Sequence, residues 1–186
     1  MKKENRSVQR TREMLRRAYA KLILEKDAKK ITVVDVAGRA GLSRNTFYLH
    51  YEDINALKEN VKANFEDKFN RCVDEASMDT LEVTPADILE RFEQFFSESE
   101  DMCKWLLRTP HYADFLEKME KIFIKSICLS LERNEVPCTA EAAMLPYWLA
   151  ASMSELYTRY LQGDVACTLQ QINKKLLRLY HAEMKE

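Results

Sequence analysis

Apolar residues recur at three- and four-residue steps along nearly the whole chain, the spacing that stacks side chains on one face of an α-helix. Leu15, Ala18, Tyr19 and Leu22 form the first stripe, with Arg10, Arg12, Arg16, Arg17 and Lys21 mostly on the other faces, so an amphipathic helix is predicted from Ser7 to Lys26. Two helix starts follow a charged break at residues 27–30. Thr32 with Asp35 reads as a capping box, Ser43 as the N-cap of the next helix, and Gly41 stands where a tight turn needs positive φ. Asp53 is expected to cap a long fourth helix along Leu57, Val61, Phe65, Phe69, Cys72, Val73 and Ala76. Thr84-Pro85 has the wording of N-cap and N1 for a helix carrying Ile88, Phe92, Phe95 and Phe96, followed by a short apolar piece around Met102, Trp105 and Leu106. Beyond Pro110 comes a helix with Phe115, Met119, Ile122, Phe123 and Ile127. Thr139 can cap a helix reaching about Gln162, in which Pro146 either kinks the rod or delays its start. Gly163-Asp164 predicts a turn, and Leu169, Ile172, Leu176 and Leu179 mark a last helix.

Composition narrows the picture. With 3 Gly and 4 Pro in 186 residues, the chain lacks the turn residues of a sandwich, a barrel or a Gly-rich phosphate-binding fold. At 46% hydrophobic and 32% charged residues, with no apolar run near the length of a membrane span, it reads as a soluble globular protein without a membrane partner. The expected class is all-α, with a three-helix head over residues 1–52 and a body of about six helices over residues 53–186. Charge divides along the same line: residues 1–52 hold 13 basic and 6 acidic side chains, net +7, and the remainder nets −8. A basic segment on an acidic body fits a head that meets a polyanion, and equally a merely solvated basic helix face. Cys72, Cys103, Cys128, Cys138 and Cys167 show no C-x-x-C pair and lie far from the three histidines, so no metal site, cofactor or disulfide framework is expected. The N-terminus runs into charged sequence without the apolar stretch of a secretion signal, which points to a reducing cytoplasm.

Residues 32–51 meet the requirements of a helix-turn-helix. Ala37 is small where two helices cross, Gly41 supplies the turn, and Val36, Ala40, Leu42 and Phe47 fall in the inner angle. The second helix, about residues 43–50, would present Arg44, Asn45, Thr46, Tyr48, Leu49 and His50 to a major groove, a set that combines phosphate donors with groups able to address base edges. A helical hairpin with a purely structural role satisfies the same local rules.

Across residues 8–60 the chain resembles the TetR family of bacterial transcriptional regulators: the basic first helix, the stretch I-T-V-V-D-V-A-G-R-A-G-L-S, then T-F-Y-L-H-Y-E-D followed by Leu57 match that family's N-terminal domain nearly in order. The F-Y-L-H-Y-E-D wording is most similar to the branch related to regulators of dihydroxyacetone kinase genes. The resemblance implies a DNA-binding head, a helical regulatory body and dimerisation through the last two long helices. It makes Thr32 a phosphate contact and sets Val34 at the groove edge, and it puts Thr46, Tyr48 and His50 where the family often touches DNA. Arg44 and Asn45 begin the recognition helix, and Asn45 replaces a frequent Gly, which suggests that specificity concentrates at this pair. Ile54 stands where the family often has a phosphate-binding Lys, leaving Lys58 as the substitute, and Gly38 replaces a usually charged residue. Arg6 and Arg10 are expected to add phosphate contacts.

The body carries no comparable motif. Phe92, Phe96, Trp105, His111, Tyr112, Phe123, Tyr147, Trp148 and Tyr157 are the candidates for lining an effector pocket, although most such residues are ordinary core. The last two helices are apolar over a wide arc, and Leu149, Leu156, Tyr160, Leu169, Ile172, Leu176 and Tyr180 are candidates for a homodimer interface. No G-x-S-x-G, H-E-x-x-H or P-loop wording is present, so an enzyme is not expected. The expected function is repression through double-stranded operator DNA, relieved by a small-molecule effector. The alternative is a TetR-like adaptor that acts through protein contacts alone.

Overall fold

The computed structural model describes residues 6–77, 83–137 and 139–183. Among them the chain forms eight α-helices and no strand: α1 (Arg6–Glu25), α2 (Val33–Arg39), α3 (Arg44–Tyr48), α4 (Ile54–Ser77), α5 (Pro85–Leu106), α6 (Tyr112–Arg133), α7 (Ala140–Gln162) and α8 (Leu169–Glu183). The all-α class expected from the sequence is the one observed.

Most helix starts are capped by the residues that the sequence singles out. Thr32 Oγ1 accepts from the Asp35 amide at 3.3 Å while the Thr32 amide donates to Asp35 Oδ2 at 2.8 Å, a reciprocal box at the start of α2. Thr84 and Asp87 repeat it at the start of α5. Ser43, Asp53 and Thr139 each accept from the backbone amide three residues on. Thr168 and Gln171 form one more reciprocal pair at the start of α8, a cap absent from the sequence-based expectations. Gly41 and Gly163 take φ of 68° and 81°, the left-handed backbone that glycine adopts without a steric penalty.

One helix differs from expectation, and an alternative left open for another is resolved. The apolar piece around Met102, Trp105 and Leu106 is no separate helix but the end of α5, which bends at Ser99, where φ is −131°. The body thus has five helices, α4 to α8, among the described residues. Pro146 lies inside α7, which already begins at Ala140 and continues through it. Pro146 is buried, so the ring packs into the core while its missing N–H forfeits one backbone hydrogen bond.

The chain divides into two compact units, Met1–Lys68 and Phe69–Glu186, with the boundary inside α4. In the first, Leu15, Ala18, Tyr19 and Leu22 of α1 are buried together with Val36, Ala37, Phe47, Tyr51, Leu57 and Val61. Arg16 donates to Asn60 at 3.3 Å, and Tyr51 donates to the same amide oxygen at 2.8 Å, tying α1 to the start of α4. In the second unit α5, α6, α7 and α8 pack each on the next, with α8 returning to α5 and α5 also touching α7. Their core is aromatic: Phe69 meets Phe115 at 4.7 Å between ring centres, and Phe96 meets Tyr157 edge-on at 5.0 Å. No helix among the described residues is long and apolar enough to cross a membrane.

Candidate nucleic-acid interface

The helix-turn-helix is built from the inside out. Val36, Ala37 and Phe47 are buried, Ala40 and Leu42 are half-buried, and Gly41 makes the turn between α2 and α3. Phe47 is the anchor of α3: its ring is fully enclosed, with Tyr48 edge-on at 5.6 Å and Tyr51 tilted at 5.8 Å. Arg44, Asn45, Tyr48 and Leu49 are exposed, and Thr46 and His50 are half-buried. The Thr46 hydroxyl lies 2.9 Å from that of Ser43, which accepts the Thr46 amide and fixes the first turn of α3. Leu49 and His50 lie just beyond α3, where the Leu49 amide still donates to the Asn45 carbonyl at 3.2 Å.

On α2, Thr32 and Val34 are both exposed. Asp35 ties this helix start together. Its carboxyl is held well below the usual carboxylate range, first by Lys26 Nζ at 2.7 Å and then by the Thr32 hydroxyl and amide. Not every basic side chain of the head is available to a ligand. Arg16 and Arg17 clamp Glu13 at 2.8 and 2.9 Å, and Arg39 pairs with Glu25. Burial alone would raise the Glu13 pKa, and the two guanidiniums outweigh it and lower it. Arg6, Arg10 and Lys58 are exposed. Arg6 and Arg10 stand on the first two turns of α1, and with Gln9, Arg12, Glu13 and Arg16 they line a shallow concavity of about 550 Å³. Ile54 is half-buried at the start of α4.

The candidates for an effector pocket lie in different surroundings. Phe92, Phe96, Tyr112, Phe123 and Tyr157 are buried in the core of the second unit, Trp105 is half-buried, and His111, Tyr147 and Trp148 are exposed. The buried five fill space against neighbouring rings and helices. A groove of about 630 Å³ between α5 and α8 is lined instead by Leu89, Glu93, Asn173, Lys174, Leu177, Arg178 and their neighbours, none of them in the aromatic set. Its sequence signal is Asn173, an amide one step after Ile172 on a face otherwise made of Leu169, Leu176 and Tyr180. The interface candidates divide in the same way. Leu149, Leu169, Ile172, Leu176 and Tyr180 are buried inside the single chain, so these five pack on its own core and are not available to a partner. Leu156 and Tyr160 are half-buried. The exposed large apolar side chains of α7 are Met144, Tyr147 and Trp148, the last two 63% and 52% exposed.

Among the described residues no three His, Cys, Asp or Glu side chains converge on a possible metal position. Cys72 and Cys103 are buried thiols, Cys128 and Cys167 are half-buried, and Cys138 lies outside the described residues.

No protein-family model and no curated protein matches the sequence. Solved structures do match over nearly the whole chain. The dihydroxyacetone kinase operon activator DhaS superposes with a TM-score of 0.61 at 15% identity, covering 94% of this chain and 96% of its own. A transcriptional regulator from Aquifex aeolicus gives 0.56 at 19% identity, covering 91% and 98%. The TetR-family regulator PfmR from Thermus thermophilus gives 0.54 at 19% identity, covering 90% and 96%. At such identities the likeness is one of backbone, and it extends from the helix-turn-helix through the helical body. The chain therefore has the fold of the TetR-family transcriptional regulators.

Proposed function

We propose that this protein is a dimeric, sequence-specific DNA-binding regulator of transcription that works in the cytoplasm. The observation that carries the reading is the division of labour in α3: Phe47 is locked into the head while Arg44, Asn45, Tyr48 and Leu49 face outward from a segment of net charge +7. Such a surface pairs phosphate donors with base-reading groups on one short rigid element. Thr32, Thr46, Tyr48 and His50 position the head on the backbone, Val34 borders the groove, and Arg44 and Asn45 read bases. Arg6, Arg10 and Lys58 add phosphate contacts from α1 and α4.

Two chains are needed to span two half-sites. The exposed stripe Met144, Tyr147, Trp148 and Ala151 on α7 has the i, i+3, i+4, i+7 spacing of one helix face and is the best-supported place for the partner, with Leu156 and Tyr160 farther along. A small-molecule effector bound in the body would favour a dimer whose recognition helices no longer match their half-sites, releasing a repressor. Activation uses the same parts with the opposite coupling, and the similar DhaS is by name an activator.

The test is a mobility shift on DNA selected from genomic fragments by the full-length protein. Affinity should fall steeply as salt rises, and Arg44→Ala or Asn45→Ala should relax preference at particular base pairs by about 1 to 3 kcal/mol. Tyr48→Phe should weaken all sequences alike. If no fragment is enriched, or if affinity is indifferent to salt, the protein is not an operator-binding regulator and the adaptor reading replaces it.

A further inference from the structure

The large apolar side chains left exposed among the described residues are few, and apart from Met14 they fall in two groups: Met144, Tyr147 and Trp148 on α7, and Val34, Tyr48 and Leu49 on the helix-turn-helix. Leu49 is the most exposed of all at 82%, and it stands in the most basic part of the chain. A lone surface leucine needs no explanation, but this one is not scattered. It lies four residues after Asn45 and one after Tyr48, so all three share one side of the recognition segment, opposite Phe47. Its backbone is held by the bond from its amide to the Asn45 carbonyl, so the side chain is presented from a fixed position.

The surrounding charge selects the occupant. A segment with net charge +7 favours a polyanion, and an apolar protein or lipid partner would have to strip water from Arg44 and Asn45 on the same face without repaying it. The major groove of DNA is a polar, anionic surface with one apolar feature, the 5-methyl group of thymine. An exposed branched aliphatic side chain beside base-reading polar groups matches that feature.

We infer that Leu49 is a specificity-determining residue that reads a thymine 5-methyl group, so that each half-site carries a T·A pair close to the pair read by Asn45. The inference rests on the DNA-binding reading above and adds to it a base identity. Four residues of helix rise about 6 Å and successive base pairs are about 3.4 Å apart, so the thymine lies within about one or two steps of the Asn45 contact.

The decisive experiment uses the full-length protein and the DNA that it selects from a random pool, with each thymine of the site replaced in turn by deoxyuridine. That change removes one methyl group and leaves every hydrogen-bonding edge intact. At one thymine per half-site the substitution should weaken binding about fourfold, and about fifteenfold when made in both half-sites, the worth of a buried methyl. Leu49→Ala, which should unfold at the temperature of the unaltered protein, should bind thymine and uracil equally at that position and keep its response to changes at the pair read by Asn45. Tight binding that is indifferent to every thymine-to-uracil change overturns the proposal while leaving DNA binding standing, and so does a Leu49→Ala variant with the full uracil penalty. If no DNA is selected at all, the DNA-binding reading fails and this proposal fails with it.

Discussion

At the scale of single residues the second unit is held by a buried polar cluster inside an aromatic core. The Tyr157 hydroxyl donates to Asn173 Oδ1 at 2.7 Å, and Asn173 Nδ2 donates to the Leu89 carbonyl at 3.1 Å and to Glu93 Oε2 at 3.2 Å. Each partner satisfies a group that would otherwise be stranded away from water. Burial pushes the Tyr157 phenol well above its ordinary pKa, so it acts as a neutral donor. Tyr157→Phe removes that donor and leaves the Asn173 oxygen unpaired, which should cost about 1 to 3 kcal/mol in urea unfolding. Asn173 is visible in the sequence as a polar residue on an apolar face. Tyr157 is not, because a tyrosine at helical spacing reads equally as core or as pocket lining. The same ambiguity affected Phe92, Phe96 and Phe123, whose surroundings are set by helices distant in sequence.

At the scale of elements the helix ends were the most legible features, since a cap is decided by residues within three or four positions of one another. Thr84 caps α5 far from the proposed interface in sequence, so Thr84→Ala should cost about 1 kcal/mol in thermal or urea unfolding and leave DNA affinity unchanged. Gly38 is exposed within α2, and a Cβ added there would meet nothing within 4 Å. Gly38→Ala should therefore stabilise the protein by about 0.5 to 1 kcal/mol, by helix propensity and by narrowing the unfolded ensemble. Asp35 adds a pH dependence at the same helix. Its pKa in the folded state lies below the unfolded value, so its contribution is complete above the unfolded pKa of about 4 and is lost as pH falls toward the folded value. Asp35→Asn should thus be less stable than the unaltered protein at neutral pH, and urea titrations should show the gap closing in acid. An equal gap at every pH would remove Asp35 from the acid sensitivity. The bend of α5 at Ser99 was not legible, because nothing local to Ser99 breaks a helix.

At the scale of the whole molecule the proposed binding and assembly rest on the asymmetry of charge and on the exposed face of α7. With Arg16, Arg17, Arg39 and Lys26 engaged within the chain, three to five phosphates neutralised per chain is a reasonable expectation, and a dimer should give a log-log salt slope of about −5 to −9. Replacing both Arg6 and Arg10 by Gln should flatten that slope by about 2 to 4 in the dimer, with little change in melting temperature because both side chains are exposed. An unchanged slope would show that α1 makes no phosphate contact. Trp148→Glu should yield folded monomers by sedimentation, or unfolded chains if the dimer is obligate. A variant that remains dimeric would move the partner to another face.

The amino-acid sequence by itself determined the helical class, most helix starts and turns, the helix-turn-helix and the exposure of Arg44, Asn45, Tyr48 and Leu49. All of these rest on periodicity and on capping chemistry that acts over one or two turns. Phe47 inward and Tyr48 with Leu49 outward follows from the helical period once one buried position is known. What tertiary structure decided was which side of each long helix meets the core. The apolar residues of α7 and α8 cover more than one face, so spacing alone could not say that Leu149, Leu169, Ile172, Leu176 and Tyr180 turn inward while Tyr147 and Trp148 turn outward. That choice depends on α5 and α6, from which α8 is separated by dozens of residues, and it is made by burying the greatest apolar area around Phe96, Phe115 and Tyr157.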